Sequence, residues 1–225
     1  MNENTKRTIG AEPIAIEREY EFPGVERVHG VTHDGRCVWF ATNGRLVAFD
    51  PVSGERMREL ELPADAGTAF DGKHLFQIAQ GRIFRIDPES GRVLSSIPAP
   101  SADGQNSGLA WAEGTLWVGQ YGNRKIHQVD PKTGKVLRTI ESDRFVTGVT
   151  WVEGELWHAT WDETARESEL RRVHPESGEV LARRVLPKGI EVSGLESDGG
   201  ERLYCGGSSS GKVRAVRRPK RGDSR

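Results

Sequence analysis

Few side chains in these 225 residues combine the type and the setting for chemistry. His29 stands before a Gly-Val-Thr run, and an imidazole there titrates near neutral pH and could act as a general base. Glu196 interrupts a Gly-Leu-x-Ser segment where comparable segments carry Thr32, Ala69, Ala110 and Thr150. A carboxylate at such a place must be salt-bridged, face water, or serve as an acid or base. His158 and Cys205 each follow an aromatic residue at matching places, and side by side they would form a base and a nucleophile. A free cysteine is also a common packing residue, which leaves the structural reading open. The six histidines contain no His-x-His or His-Glu-x-x-His, and Cys37 and Cys205 form no Cys-x-x-Cys, so zinc chemistry is not expected. No cofactor is expected, although a divalent cation assembled from Glu196, Asp162 and Asn side chains is compatible with ligands distant in sequence.

These groups need elements to position them, and the chain supplies the same element set five times. Marker glycines at 30, 67, 108, 148 and 194 open short apolar runs spaced 37, 41, 40 and 46 residues apart. Each is followed by an Asp-Gly, Glu-Gly or Gly-Gly turn and a run centred on an aromatic: Trp39, Phe76, Trp117, Trp157 or Tyr204. A third alternating run ends in four copies at Asp50-Pro-Val-Ser-Gly54, Asp87-Pro-Glu-Ser-Gly91, Asp130-Pro-Lys-Thr-Gly134 or His174-Pro-Glu-Ser-Gly178. Pro presets one turn residue, Gly supplies positive φ, and the first side chain caps the backbone. A fourth run follows, which predicts an all-β, five-bladed β-propeller of four-stranded antiparallel blades over residues 13–219. The fifth copy lacks its fourth run, and Ile14–Phe22 supplies it, so the N-terminal strand closes the last blade. Cys37 falls in the core, and the two cysteines, at opposite strand parity, form no disulfide.

Composition bounds the partners. Thirty-two Lys plus Arg balance 33 Asp plus Glu, so no bulk charge attracts nucleic acid or an anionic membrane. The last strand and tail, Lys212–Arg225, hold seven basic residues and one acidic and read as a solvated end, with 220–225 a basic C-terminal tail. Residues 1–12 read as a flexible N-terminus without an apolar leader core, which gives a cytoplasmic expectation. The expected partner is a small molecule or a peptide terminus, with no nucleic acid or membrane partner.

In a propeller, the loops entering the inner strands and those between the two middle strands share one face. Here they deliver His29, Asn106, Gln120, Tyr121, Trp161 and Asp162 to a ring of polar and aromatic groups suited to a small-molecule site. His158 and Cys205 join this set as candidate substrate-binding residues, and His29 and Glu196 are the candidate catalytic pair.

The stretch Gly154-Glu155-Leu156-Trp157-His158-Ala159-Thr160-Trp161 is similar to the Gly-Glu-Ile-Trp-Ala-Asn-Val-Trp pattern of plant and bacterial glutaminyl-peptide cyclotransferases (glutamine cyclotransferases). Both tryptophans match, while Ala159 takes the place of the Asn. His29-Gly30-Val31 falls where that family has Gln-Gly-Leu, and Thr147–Thr150 where it has Asn-Glu-Leu-Glu. The resemblance spans almost the whole chain and implies a five-bladed propeller and a transferase that cyclises an N-terminal glutamine with loss of ammonia. The Asp-Pro-x-Ser/Thr-Gly turns also look like those of streptogramin lyases and quinoprotein-like propellers, implying as alternatives a metal-assisted lyase or a non-catalytic module that binds a metabolite or protein.

Overall fold

The computed structural model describes residues 9–101 and 103–220; the outermost expected tails, 1–8 and 221–225, lie outside the described residues. Strands β1 (Ala11–Pro13) and β2 (Ile16–Glu21) come first. Blade 1 follows as β3 (Val31–His33), β4 (Val38–Thr42), β5 (Arg45–Phe49) and β6 (Arg56–Glu61). Blade 2 is β7 (Thr68–Phe70), β8 (Leu75–Ala79), β9 (Arg82–Ile86) and β10 (Val93–Pro98). Blade 3 is β11 (Asn106–Ala112), β12 (Thr115–Gln120), β13 (Lys125–Val129) and β14 (Val136–Glu141). Blade 4 is β15 (Phe145–Val152), β16 (Glu155–Asp162), β17 (Glu167–Val173) and β18 (Val180–Val185). Blade 5 is β19 (Gly194–Ser197), β20 (Arg202–Gly206) and β21 (Lys212–Arg217), completed antiparallel by β2. The five-bladed, all-β architecture and its closure by the N-terminal strand are as the repeats predict.

One element goes beyond that expectation. β1 adds a fifth, parallel strand to the outer edge of blade 4, pairing Ala11 with Arg183 and Pro13 with Val185. Residues 11 and 12, expected in a flexible start, are thus ordered because an unpaired sheet edge offers them backbone partners.

The turns behave as their residues dictate. The Oδ1 atoms of Asp50, Asp87 and Asp130 each accept two backbone N–H bonds two and three residues on, and His174 Nδ1 does the same at 3.3 Å. Gly54, Gly91, Gly134 and Gly178 close these turns at φ between 71 and 83°. Five apolar clusters fill the spaces between successive blades. Inner-strand rings stack on the second-strand aromatic of the preceding blade: Trp111 on Phe76 at 5.4 Å, Trp151 on Trp117 at 5.9 Å and His33 on Tyr204 at 6.2 Å.

The marker glycines set the centre. A methyl group on Gly30, Gly67, Gly108, Gly148 or Gly194 would lie within 2.6 Å of the next blade's backbone, and the contacts run in sequence back to Gly30. Five inner strands therefore close on the axis in a glycine ring that no other residue fits. The ring divides the channel into a mouth side, reached through residues preceding each glycine, and a far side, lined by residues following it.

Candidate functional site at the propeller mouth

The residues immediately before the glycines are His29, Ala66, Ser107, Thr147 and Ser193. Two of them staple blades: Ser107 Oγ donates to the Val146 carbonyl at 2.6 Å, and Ser193 Oγ to the carbonyls of Val28 and His29 at 2.5 and 2.9 Å. Thr147 occupies the same repeat position, yet its Oγ1 is buried without a partner. His29 is the one titratable side chain of this set. Burial and then Arg27 lower its pKa from the usual imidazole value, against a smaller opposing pull from Asp65, so it is neutral at pH 7 and free to accept a proton.

Farther out, Asn106 begins β11 opposite Gln120 in register. Its Nδ2 donates to the Ser101 carbonyl at 2.5 Å, and its Oδ1 is buried with no partner. Gln120 Oε1 accepts from Asn123 Nδ2 at 3.1 Å. Tyr121 stacks on Phe145 with centroids 4.6 Å apart, and its hydroxyl donates to Glu163 at 3.2 Å. Burial, then Glu163 and Glu191, push the phenol up to about 12, so it stays a hydrogen-bond donor. Trp161 pairs with Phe145 across the sheet, which puts both rings on one face, while the Arg124 guanidinium lies 4.8 Å from the Phe145 centroid. The result is an aromatic wall rising from blades 3 and 4.

Several expected site residues are engaged otherwise or lie elsewhere. Asp162 caps its own turn, accepting from the N–H groups of Thr164 and Ala165 at 3.0 and 2.9 Å, which hold its carboxyl below the usual range. Glu196 follows the glycine ring by two residues and lies on the far side, so it does not share a site with His29. Nor does it assemble with Asp162 around a cation, and among the described residues no three His, Cys, Asp or Glu side chains converge in metal-binding geometry. Instead of pairing with an arginine, Glu196 accepts from Thr32 Oγ1 at 2.8 Å, Thr150 Oγ1 at 2.5 Å and the Ser197 N–H at 2.8 Å. Burial outweighs these bonds and raises its pKa to about 7. Thr32 and Thr150 are its repeat equivalents in the two flanking blades, so the carboxyl sits in a ring with hydroxyls on both sides.

His158 and Cys205 are not brought together either. Cys205 is buried with Trp157, Ala159 and Leu170 between blades 4 and 5, and burial pushes its thiol up to about 12. His158 alternates with Trp157 and Ala159 along β16 and therefore faces blade 3. Equal repeat positions point the same way round the ring, so the two can never face each other. Phe145, Thr147, Glu163 and Glu191 complete the mouth beyond the residues singled out from the sequence; the cue for Thr147 was its place in the Ser107 and Ser193 series.

The sequence model of the glutamine cyclotransferase family matches residues 101–167, which hold Asn106, Gln120, Tyr121, Phe145, Thr147, Trp161 and Glu163 but neither His29 nor Glu196. No curated protein sequence matches the chain. Among solved structures, a glutaminyl cyclase from Myxococcus xanthus superposes with TM-score 0.73 at 16% identity, over 92% of this chain and 98% of that one. A catalytically inactive H270A virginiamycin B lyase from Staphylococcus aureus, with quinupristin, gives 0.52 at 18% identity over 90% and 70%. The WD40 β-propeller domain of Doa1 gives 0.54 at 18% identity over 85% and 64%. At these identities the structural likeness concerns the fold. The chain is a glutaminyl cyclase-like five-bladed propeller whose match to the glutamine cyclotransferase family lies in blades 3 and 4.

Proposed function

We propose that the protein is a cyclase-like enzyme that takes a peptide terminus or small molecule bearing an amine and an amide against the wall of blades 3 and 4. The observation that carries this reading is the pair of unsatisfied buried atoms among the wall residues, Asn106 Oδ1 and Thr147 Oγ1. A buried polar atom left without a partner costs roughly 1–3 kcal/mol, which a ligand recovers by supplying one. An amide does so with both ends: its N–H donates to Asn106 Oδ1, and its carbonyl accepts from the Thr147 hydroxyl. In the cyclisation, the α-amine nitrogen forms a bond to the side-chain carbonyl carbon, the C–N bond of the amide breaks, and ammonia leaves. Neutral His29 takes the proton from the attacking amine and returns it to the departing nitrogen. Tyr121, Phe145 and Trp161 form the apolar wall, and Glu163 and Glu191 favour a positively charged substrate at the entrance.

Incubation with a peptide beginning in glutamine, followed by mass spectrometry, tests this directly. Loss of ammonia that is abolished in His29→Ala and reduced in Thr147→Val is the expected result. Saturable binding of the peptide without ammonia loss would replace the enzyme by an amide-binding module. That second reading is favoured by the five residues that precede the marker glycines, among which His29 is the one titratable group.

A further inference from the structure

A second feature of blade 4 is a buried histidine with an unpartnered ring nitrogen; blade 2 has a buried polar residue at the same place, Gln77, but its amide is bonded to Thr68, Ala66 and Ile78. Cross-strand partners form radial rows on each sheet: Val31, Phe40, Val47 and Glu59 in blade 1, Leu109, Val118, His127 and Thr139 in blade 3, Leu195, Cys205, Arg214 and Glu19 in blade 5. The second member of each, Phe40, Val118 or Cys205, is buried in an apolar cluster between blades. In blade 4 the row reads Val149, His158, Arg171 and Arg183. His158 is only 2% exposed, its Nδ1 has no partner, and it faces a cavity of about 1300 Å³ between blades 3 and 4.

The cavity runs along the flank from the Ser142–Arg144 loop to the turn at Ser177–Glu179, away from the channel axis. Its deep wall is cationic. Glu169 is fully buried and is shared by Arg171 Nε at 2.7 Å, Arg144 Nη1 at 3.1 Å and Arg183, three guanidiniums on one carboxylate. The four carboxylates that line the cavity itself, Glu12, Glu141, Asp143 and Glu179, are all more exposed than Glu169. Glu12 is taken by Arg184 at 3.0 Å, and Asp143 meets Arg171 with its own side chain 76% exposed. Ile126 and Ile140 of blade 3 and Val180 and Leu181 at the start of β18 add aliphatic lining, with Leu181 38% exposed.

We propose that this flank cavity binds an aliphatic carboxylate, the carboxyl replacing exposed Asp143 on Arg171 and bonding His158 Nδ1, the chain lying along Ile126, Ile140, Val180 and Leu181. The imidazole is neutral, since burial and then Arg171 lower its pKa to about 4, and in the tautomer protonated on Nδ1 it donates to the ligand. An excess of guanidiniums over buried carboxylates favours an anion, and the aliphatic lining favours one with an apolar body.

Calorimetric titration of the full chain with octanoate, with inorganic phosphate and octanol as parallel arms, is the test. Saturable octanoate binding at one site is expected, with phosphate and octanol each weaker by about tenfold or more because each lacks one half of the match. His158→Phe gives blade 4 the residue that blade 1 carries at that place, and Leu181→Asp alters only the exposed wall; either should weaken octanoate by about tenfold or more in a folded protein. Absence of saturable octanoate binding, equal binding of phosphate or octanol, or unchanged affinity in both folded variants would overturn the proposal. Leu181→Asp should not alter cyclisation at the mouth, so failure here is separable from failure there.

Discussion

Blades 1 and 2 reach the mouth through two-residue turns, Asn43-Gly44 and Gln80-Gly81, with positive φ at both residues of each. Their inner strands have three residues and their second strands five. In blades 3 and 4 the inner strands have seven and eight residues and the second strands six and eight, followed by longer loops that hold Tyr121 and Glu163. The same repeat therefore makes a low wall on one side of the axis and a high one on the other. Tight turns with both residues in the left-handed region match the strand twist and end the sheet at once. Added residues extend the sheet further into solvent, where Tyr121 and Phe145 pack on each other across blades 3 and 4 and, with Trp161, stay partly exposed and available to a ligand. The family match covers the high side, and the unsatisfied Asn106 and Thr147 atoms belong to it.

The largest expected effect bears on whether the low side contributes chemistry at all. His29 enters from blade 1, and His29→Ala should lower kcat/KM for a glutamine-initiated peptide by roughly 10²–10⁴-fold, the range for loss of a general base. An unaffected rate would place all the chemistry on blades 3 and 4. Next, the glycine ring should be blind to the asymmetry. Gly67→Ala on the low side and Gly148→Ala on the high side should each destabilise by about 1–3 kcal/mol in chemical denaturation, because each methyl meets backbone that cannot move aside. A clear inequality would show that one side of the ring yields.

Glu196 gives a pH-dependent effect that belongs to neither side. Its folded pKa of about 7 exceeds the ordinary 4.5, so the folded state holds a proton that the unfolded state releases between those values. Its contribution to stability is therefore fully present below pH 4.5 and lost as pH rises through 7. Glu196→Gln should raise stability at pH 8 by about 3 kcal/mol and leave it nearly unchanged at pH 4, as read from denaturation midpoints. Smaller still, Thr147→Val removes a buried hydroxyl that has no protein partner, so stability should rise by about 1 kcal/mol while peptide turnover falls about tenfold. On the low side, Gln80→Gly replaces a residue at φ 53° and should change both stability, by about 0.5 kcal/mol or less, and turnover very little.

Much of this molecule was legible because its information is local. Asp50, Asp87 and Asp130 reach backbone two and three residues away, and a glycine beyond them supplies the positive φ, so each turn is written within five residues. The missing fourth strand of blade 5 and its replacement by residues near 16–21 followed from counting. The mouth residues Asn106, Gln120, Tyr121 and Trp161 followed from knowing which loops share a face. Phe145 was not legible, since nothing marks it until Tyr121 of another blade is found stacked on it.

What the sequence by itself determined is thus the repeat, its strand count, its turn types and its closure, all carried by short-range backbone preferences and an alternating pattern. The tertiary structure alone decided which equivalent side chains meet across blades. It put the glycine ring between His29 and Glu196, turned His158 toward blade 3 and Cys205 toward blade 4, gave the Glu196 carboxyl to Thr32 and Thr150, and laid β1 on the edge of blade 4. Those outcomes depend on the rotation from one blade to the next, a property of the closed ring that no single repeat encodes.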